Sequence, residues 1–332
     1  MRADPRLAGV LELLGLGGGA PVRAFPPTPT PWACAYAVGS GATRGVARLI
    51  DLDFAEEGVV ATEFAAATLL GDHGIGPRVR HADAEAGVLV MDEIDGAPAE
   101  RPVALWQALS LARVLRALHA LDMPGEPRLH VAKEQAATAA VAAIADGVPE
   151  LALHREASRR FDDLRAALAR LGVPDRLCHN DLNHGNVVFD DVRAWLIDFD
   201  HLGVGDPFYD LANAVLSLHM DDVVRQEFVK AYLGRPADAG EEARLELMSC
   251  LVQLRYGLSA LSLVPTHLHD RLGTWTSDMV GDPFDFRRRD GEEVGWLVFR
   301  LSLSFVHKGL ERLGAEPATR AAETLGLLGA RV

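Results

Sequence analysis

The stretch that most limits what this chain can become is CHNDLNHGNVVFD, with WLIDFD shortly after it, from Cys178 to Asp200. Val187, Val188 and Phe189 form one short apolar run, and Trp195, Leu196 and Ile197 form a second. Asp190 and Asp191 read as the turn between them, so the two runs predict a tight β-hairpin. Such a hairpin brings Asn186 and Asp198 to the same end, with Asp181 close by in sequence. Two carboxylates and an amide offer oxygen ligands. These suit Mg²⁺, which binds through a few protein groups and substrate phosphates rather than a full protein cage. The set has the chemistry to hold a divalent metal and a phosphate chain while aiming a hydroxyl.

His179, Asp181 and Asn186 fit H-x-D-x-x-x-x-N, the spacing of a kinase catalytic loop, and Asp198 opens a DFD on the far side of the hairpin. By these motifs the chain resembles the aminoglycoside phosphotransferase and choline/ethanolamine kinase superfamily. The motifs cover about residues 36–215, and the remainder matches by helical character alone. The resemblance implies an α+β, bilobal, protein-kinase-like fold. A small antiparallel-sheet N-lobe would take residues 1–94, and a larger, mostly helical C-lobe residues 95–332. It implies that Asp181 orients or accepts the proton of an acceptor hydroxyl, that Asn186 and Asp198 hold Mg²⁺, and that ATP is the co-substrate. GVGDPFYDLAN is similar to the family's G-D-P-x-x-D-L-A segment. There Asp206 and Pro207 shape a turn. Asp210 is expected to open a helix as its N-cap and, by the resemblance, to brace the catalytic loop through backbone amides. His179 is expected to buttress the same loop.

Towards the N-terminus, Leu7 to Leu16 reads as an amphipathic helix stopped by Gly17, Gly18 and Gly19. Pro26 to Pro31 alternates Pro and Thr and interrupts regular structure. Trp32 to Val38 and Val46 to Ile50 read as strands around a Gly39-Ser40-Gly41 turn. A helix follows from about Val59 to His73, ended by Gly74, Gly76 and Pro77. Val88 to Met91 reads as another strand. On the resemblance, a strand cation and a helix glutamate pair over the phosphates. Arg48 is the candidate cation, with Arg44 as competitor, and Glu63 is the candidate partner. Asp92, Glu93 and Ile94 would form the hinge whose backbone pairs with the nucleotide base. HGIGPRV resembles the family's helix-to-strand connection. One departure stands out: where the family carries a glycine-rich phosphate loop, this chain reads PPTPTPWACAY.

Beyond the hinge the chain turns helical. Leu105, Leu109, Ala112, Leu115 and Leu118 are spaced for one buried face, and His119 behind them reads as packing. Further helices are expected at 131–145, 151–171, 211–219, 222–233, 241–263 and 293–313, the later ones building the acceptor pocket. Tyr256 and Trp275 are the aromatic candidates there, since a cationic acceptor is attracted to a ring face.

Composition narrows the function classes. A net charge of −14 repels phosphate backbones, which argues against nucleic acid and favours a cationic substrate. No apolar run reaches the roughly 18 residues of a membrane span. The acidic, amphipathic N-terminus does not read as a signal peptide, so a cytoplasmic protein is expected. Cys34, Cys178 and Cys250 are too dispersed for a disulfide framework or a zinc knuckle, and Cys178 reads as buried filler. His179, His184 and His201 lack zinc-site spacing. The leading reading is an ATP- and Mg²⁺-dependent kinase of a small hydroxyl compound, leaning towards choline or ethanolamine. The alternatives are an antibiotic-inactivating phosphotransferase and a nucleotide-binding pseudokinase scaffold.

Overall fold

The computed structural model describes residues 4–17, 19–25, 33–53, 58–122, 139, 141, 143–144, 151–274, 279–284 and 287–327. Helix α1 (Arg6–Leu13) is followed by strands β1 (Val22–Ala24), β2 (Ala33–Val38) and β3 (Gly45–Ile50). Then come α2 (Val59–Asp72), β4 (Val79–Asp83) and β5 (Val88–Asp92). The five strands form one antiparallel sheet in the order β1-β2-β3-β5-β4. Successive side chains of a strand point to opposite faces. Ala47 and Leu49 of β3 join Val88 and Val90 against Leu7, Val10 and Leu11 of α1. Arg48 between them therefore faces the other way, towards α2.

Helix α1 stops earlier than the triple glycine predicts. It ends at Leu13, and Gly15, with φ of +66°, turns the chain. A left-handed residue just past a helix end is the usual glycine stop. The expected strand and helix of β3 and α2 are present within a residue or two. Strands β1 and β4 carry exposed or half-buried residues and give little apolar pattern.

The rest of the chain is mostly helical. It holds the short strand β6 (Ala97–Pro98), helix α3 (Leu105–Leu118), α4 (Ala152–Ala169), β7 (Arg176–Cys178), β8 (Val187–Phe189), β9 (Ala194–Leu196) and β10 (Gly203–Gly205). Helices α5 (Pro207–Ser217), α6 (Asp222–Leu233), α7 (Ala239–Ser262), α8 (Val294–Leu313) and α9 (Glu316–Thr324) complete it. The helix expected at 131–145 lies almost wholly outside the described residues. The buried face of α3 is not quite the one predicted. Ala108, Leu111, Ala112, Leu115 and Leu118 are buried, whereas Leu105 is exposed. The helix starts at Leu105, so its first turn projects past the core.

Strand β8 lies between β6 and β9, and β7 pairs with β10. These two small ribbons carry the loop from His179 to Asn186. Helix α7 is buried along most of its length and packs on both α5 and α8. Its approach to α8 depends on small residues. A Cβ at Gly257 would lie 2.6 Å from Val306 Cγ2 and 2.8 Å from Val306 N. Among the described residues, no single helix is long and apolar enough to cross a membrane.

Candidate active site

The hairpin of β8 and β9 positions two of the predicted ligands. Asp190 fixes its turn by accepting from the amides of Val192 at 2.8 Å and Arg193 at 2.7 Å, and from Trp195 Nε1 at 2.7 Å. At the open end, the Ile197 amide donates to the Asn186 carbonyl at 3.1 Å. That bond sets Asn186 beside Asp198, as the paired apolar runs predict. Asp198 has φ of +64°, a conformation that non-glycine residues adopt rarely and that tends to collect at functional sites. Gly76 of the GIGP connection lies under Phe199, where a Cβ would stand 2.8 Å from the ring. The Ile75 carbonyl accepts from the Leu196 amide at 3.0 Å. The α2–β4 connection is thus a seat for the DFD segment.

The loop before the hairpin is held from beneath. Asp210 is fully buried and accepts from the amides of His179 at 2.7 Å and Asn180 at 2.8 Å, and His119 Nε2 lies 3.1 Å away. It does not cap α5. Asp206 does, accepting from the Phe208 amide at 2.9 Å, with Pro207 at the first helical position and Arg244 paired to its carboxylate. Asp210 lies in the first turn, where its side chain faces the loop. Burial would raise its pKa, but His119 and the His179 amide reverse this and hold it below the usual carboxylate value. The Asp181 amide donates to His179 Nδ1 at 3.3 Å, so Nε2 carries the hydrogen donated to the Ile197 carbonyl at 3.0 Å. His179 therefore ties the loop to the end of the hairpin.

Asp181 is surrounded by donors. Asn186 Nδ2 donates to its carbonyl at 2.8 Å and to Oδ2 at 3.0 Å, and Asn183 Nδ2 donates to Oδ2 at 3.1 Å. The Tyr256 hydroxyl donates to Oδ1. With its NH₂ turned to Asp181, Asn186 has its amide oxygen left to offer a cation.

From the sheet, Arg48 Nε reaches Glu63 at 3.0 Å and Nη2 reaches Asp198 at 3.2 Å. Burial opposes the Arg48 charge, but Asp198 and Glu63 outweigh it and keep the guanidinium firmly protonated. Arg44, the competing cation, pairs instead with exposed Asp95 at 3.3 Å. At the hinge, the Asp92 amide donates to the Arg78 carbonyl at 2.9 Å and its carboxylate accepts from Arg80 at 2.5 Å. Asp92 is thus engaged within the sheet at its amide and its side chain. Glu93 and Ile94 follow it directly in the chain.

The residues present fit a divalent cation. Asp198 Oδ1 is buried and accepts no well-directed hydrogen bond. Its pKa is raised by burial, against Arg48, and further by Asp200 and Asp181. Asp181, Asp200 and His201 also each offer an atom within 4.8 Å of one another. This is a concentration of anionic oxygen that a cation would relieve.

Three features escape a motif reading. Arg255 donates to the Asn180 carbonyl at 2.6 Å and to the Tyr209 hydroxyl at 2.9 Å, clamping the loop from α7. Tyr256, expected at the acceptor, touches Asp181 directly. Its ring stacks on Phe305 at 5.3 Å, and Phe305 meets Phe284 edge-on at 5.0 Å. Phe284 lines a cavity of about 640 Å³ with Leu216, His219, Gln253, Asp282 and Lys308. An aromatic path thus runs from the loop carboxylate into an open cavity. A ring contact is invisible in sequence, although Tyr256 is among the aromatic candidates. Trp275 lies outside the described residues.

Comparisons with known proteins bear on the family and the fold. Residues 35–247 match the model of the phosphotransferase enzyme family. No match was found among curated protein sequences. Among solved structures, a choline/ethanolamine kinase family protein from Mesorhizobium loti superposes with a TM-score of 0.70 at 19% identity, covering 98% of this chain and 96% of that one. Choline kinase from Cryptosporidium parvum gives 0.67 at 13% identity, covering 97% of each chain. A spectinomycin phosphotransferase in complex with ADP and spectinomycin gives 0.54 at 14% identity, covering 98% of this chain and 100% of that one. The fold is the protein-kinase-like α+β fold. The chain belongs to the phosphotransferase enzyme family.

Proposed function

We propose that this enzyme transfers the γ-phosphoryl group of ATP to the hydroxyl of a small cationic acceptor of the choline or ethanolamine kind. The observation that carries the reading is the meeting of Asp181, Asn186 and Asp198 at one end of a hairpin, with Arg48 reaching Asp198 from the sheet. Phosphoryl transfer requires positioning and charge neutralisation more than covalent work by the protein. Asp181 orients the acceptor hydroxyl and takes its proton as the oxygen bonds to phosphorus. The bond from phosphorus to the β–γ bridging oxygen breaks, and ADP leaves. Arg48, fixed by Glu63, faces the phosphates, and the backbone of Glu93 and Ile94 takes the base. Asn186 and Asp198 would hold Mg²⁺, which when bound neutralises phosphate charge. His179 and Asp210 keep the loop in shape. The sheet and α2 form the N-lobe over residues 1–94, and the remainder forms the C-lobe. We place the enzyme in the cytoplasm, where its free thiols suit a reducing setting.

The acceptor enters through the cavity at Phe284. The choline-type reading is supported by the higher TM-scores with the two choline-kinase-type structures and by the acidic balance of the chain. A cavity of about 640 Å³ is within the range for drug-sized ligands. That favours a bulkier acceptor as the second reading, an antibiotic phosphotransferase. The deciding experiment measures ADP release from MgATP across choline, ethanolamine, amino alcohols and aminocyclitol antibiotics. Turnover with the small amines supports the first reading. Turnover with antibiotics alone, with growth protection on expression, supports the second.

A further inference from the structure

Helix α5 presents two polar side chains three residues apart, and both are fully buried: Asp210 and Asn213. Residues three apart share one helix face. Asp210 grips the catalytic loop by its backbone amides. Asn213 is hydrogen-bonded to Tyr256 of α7. Its Nδ2 donates to the Tyr256 hydroxyl at 3.0 Å. A phenol oxygen that accepts from an amide directs its own hydrogen elsewhere, and here that hydrogen meets Asp181 Oδ1. The ring is fixed as well, stacked on Phe305. The other carboxylate oxygen is taken by Asn183 and Asn186. Both oxygens of Asp181 are thereby held, Oδ2 by two amides and Oδ1 by one phenol.

We infer that Tyr256 is a positioning residue for phosphoryl transfer, set by Asn213, which orients Asp181 so that the second lone pair of Oδ1 meets the acceptor hydroxyl. A carboxylate oxygen accepts about two hydrogen bonds. Oδ2 has both from the protein, whereas Oδ1 has one. The acceptor hydroxyl takes the remaining direction on Oδ1. Burial, and then the charge of Asp181, raise the Tyr256 pKa well above its ordinary value. It stays a neutral donor throughout a normal assay range and does not compete for the acceptor's proton. This inference rests on the proposed function, since it assigns a role within that reaction.

The test uses the full chain, with ADP release from MgATP measured with ethanolamine, with choline and with no added acceptor. Asp181→Asn tests the underlying reading, and Tyr256→Phe tests this inference. Phe keeps the ring on Phe305 and removes only the hydroxyl. The expected result, at temperatures where the variant stays folded, is a fall in kcat of at least fivefold for Tyr256→Phe, with the KM for ATP within twofold of wild type. Asn213→Ala is expected to lower kcat as well, and the double variant should be no slower than Tyr256→Phe alone, because Asn213 acts through Tyr256. A Tyr256→Phe enzyme with kcat within fivefold of wild type overturns the inference. So does a loss accompanied by a raised ATP KM. Wild-type turnover in Asp181→Asn would instead overturn the reading on which it rests.

Discussion

Arg48 Nη2 lies 3.2 Å from Asp198 Oδ1, so a strand of the five-stranded sheet and the end of the β8–β9 hairpin are joined by opposite charges. Glu63 holds the other side of the guanidinium at 3.0 Å. Arg48→Lys keeps the charge but loses the fork that serves both carboxylates. The expected outcome is a folded enzyme whose KM for ATP rises about tenfold, a loss of about 1.4 kcal/mol. Steady-state kinetics with varied MgATP measure it.

Asp210 is the only buried acceptor that takes both the His179 and Asn180 amides among the described residues. Asp210→Ala leaves two amides and His119 without their partner. Removing one member of such a buried set costs about 3–5 kcal/mol. Urea unfolding should show that loss, and kcat should fall at least tenfold at temperatures where the variant stays folded.

His154 is buried between α4 and α8, with Nε2 3.0 Å from Ser302 Oγ. Burial lowers its pKa from the usual value to about 4. The unfolded chain therefore binds more protons between about pH 6.5 and pH 4, and stability falls as pH falls through that window. Below pH 4 both states are protonated and this contribution is absent. The full effect is at most about 3 kcal/mol. Thermal melts from pH 8 to pH 4 should fall steeply below pH 6.5, and His154→Gln should flatten that slope.

Gly257 is a close contact of α7 with α8, next to Tyr256. A methyl group there meets the backbone and side chain of Val306 within 3 Å. Gly257→Ala should cost about 1–3 kcal/mol by forcing the helices apart. Because Tyr256 moves with the helix, kcat should fall further than the loss of folded protein explains. Calorimetry and kinetics on the same preparation separate the two effects.

Much of this architecture is legible in local pattern. The hairpin was readable because its two apolar runs and its Asp turn lie within one short stretch. The end of α2 was readable because Gly74, at positive φ, Gly76 and Pro77 follow an uninterrupted helical run. Other features depend on partners far away in sequence. Strand β1 has three exposed residues and exists through its pairing with β2. Asp206 and Asp210 each look like a cap, and only the fold shows that Arg244 and the Phe208 amide claim the first while the loop amides claim the second. The Tyr256–Asp181 bond spans 75 residues, and the Arg255 clamp on Asn180 spans the same distance. No spacing rule reaches that far. The cavity walls are likewise set by the packing of α5, α7 and α8 rather than by any motif.

Metal-dependent phosphoryl transfer from ATP at Asp198, Asn186 and Asp181 is tested most directly by acceptor-dependent ADP release with and without Mg²⁺, for wild type and Asp198→Ala. The expected result is Mg²⁺-dependent turnover in wild type and a loss of about a thousandfold in Asp198→Ala, roughly 4 kcal/mol of barrier, with the fold retained by circular dichroism. Turnover by Asp198→Ala at the wild-type rate would contradict it.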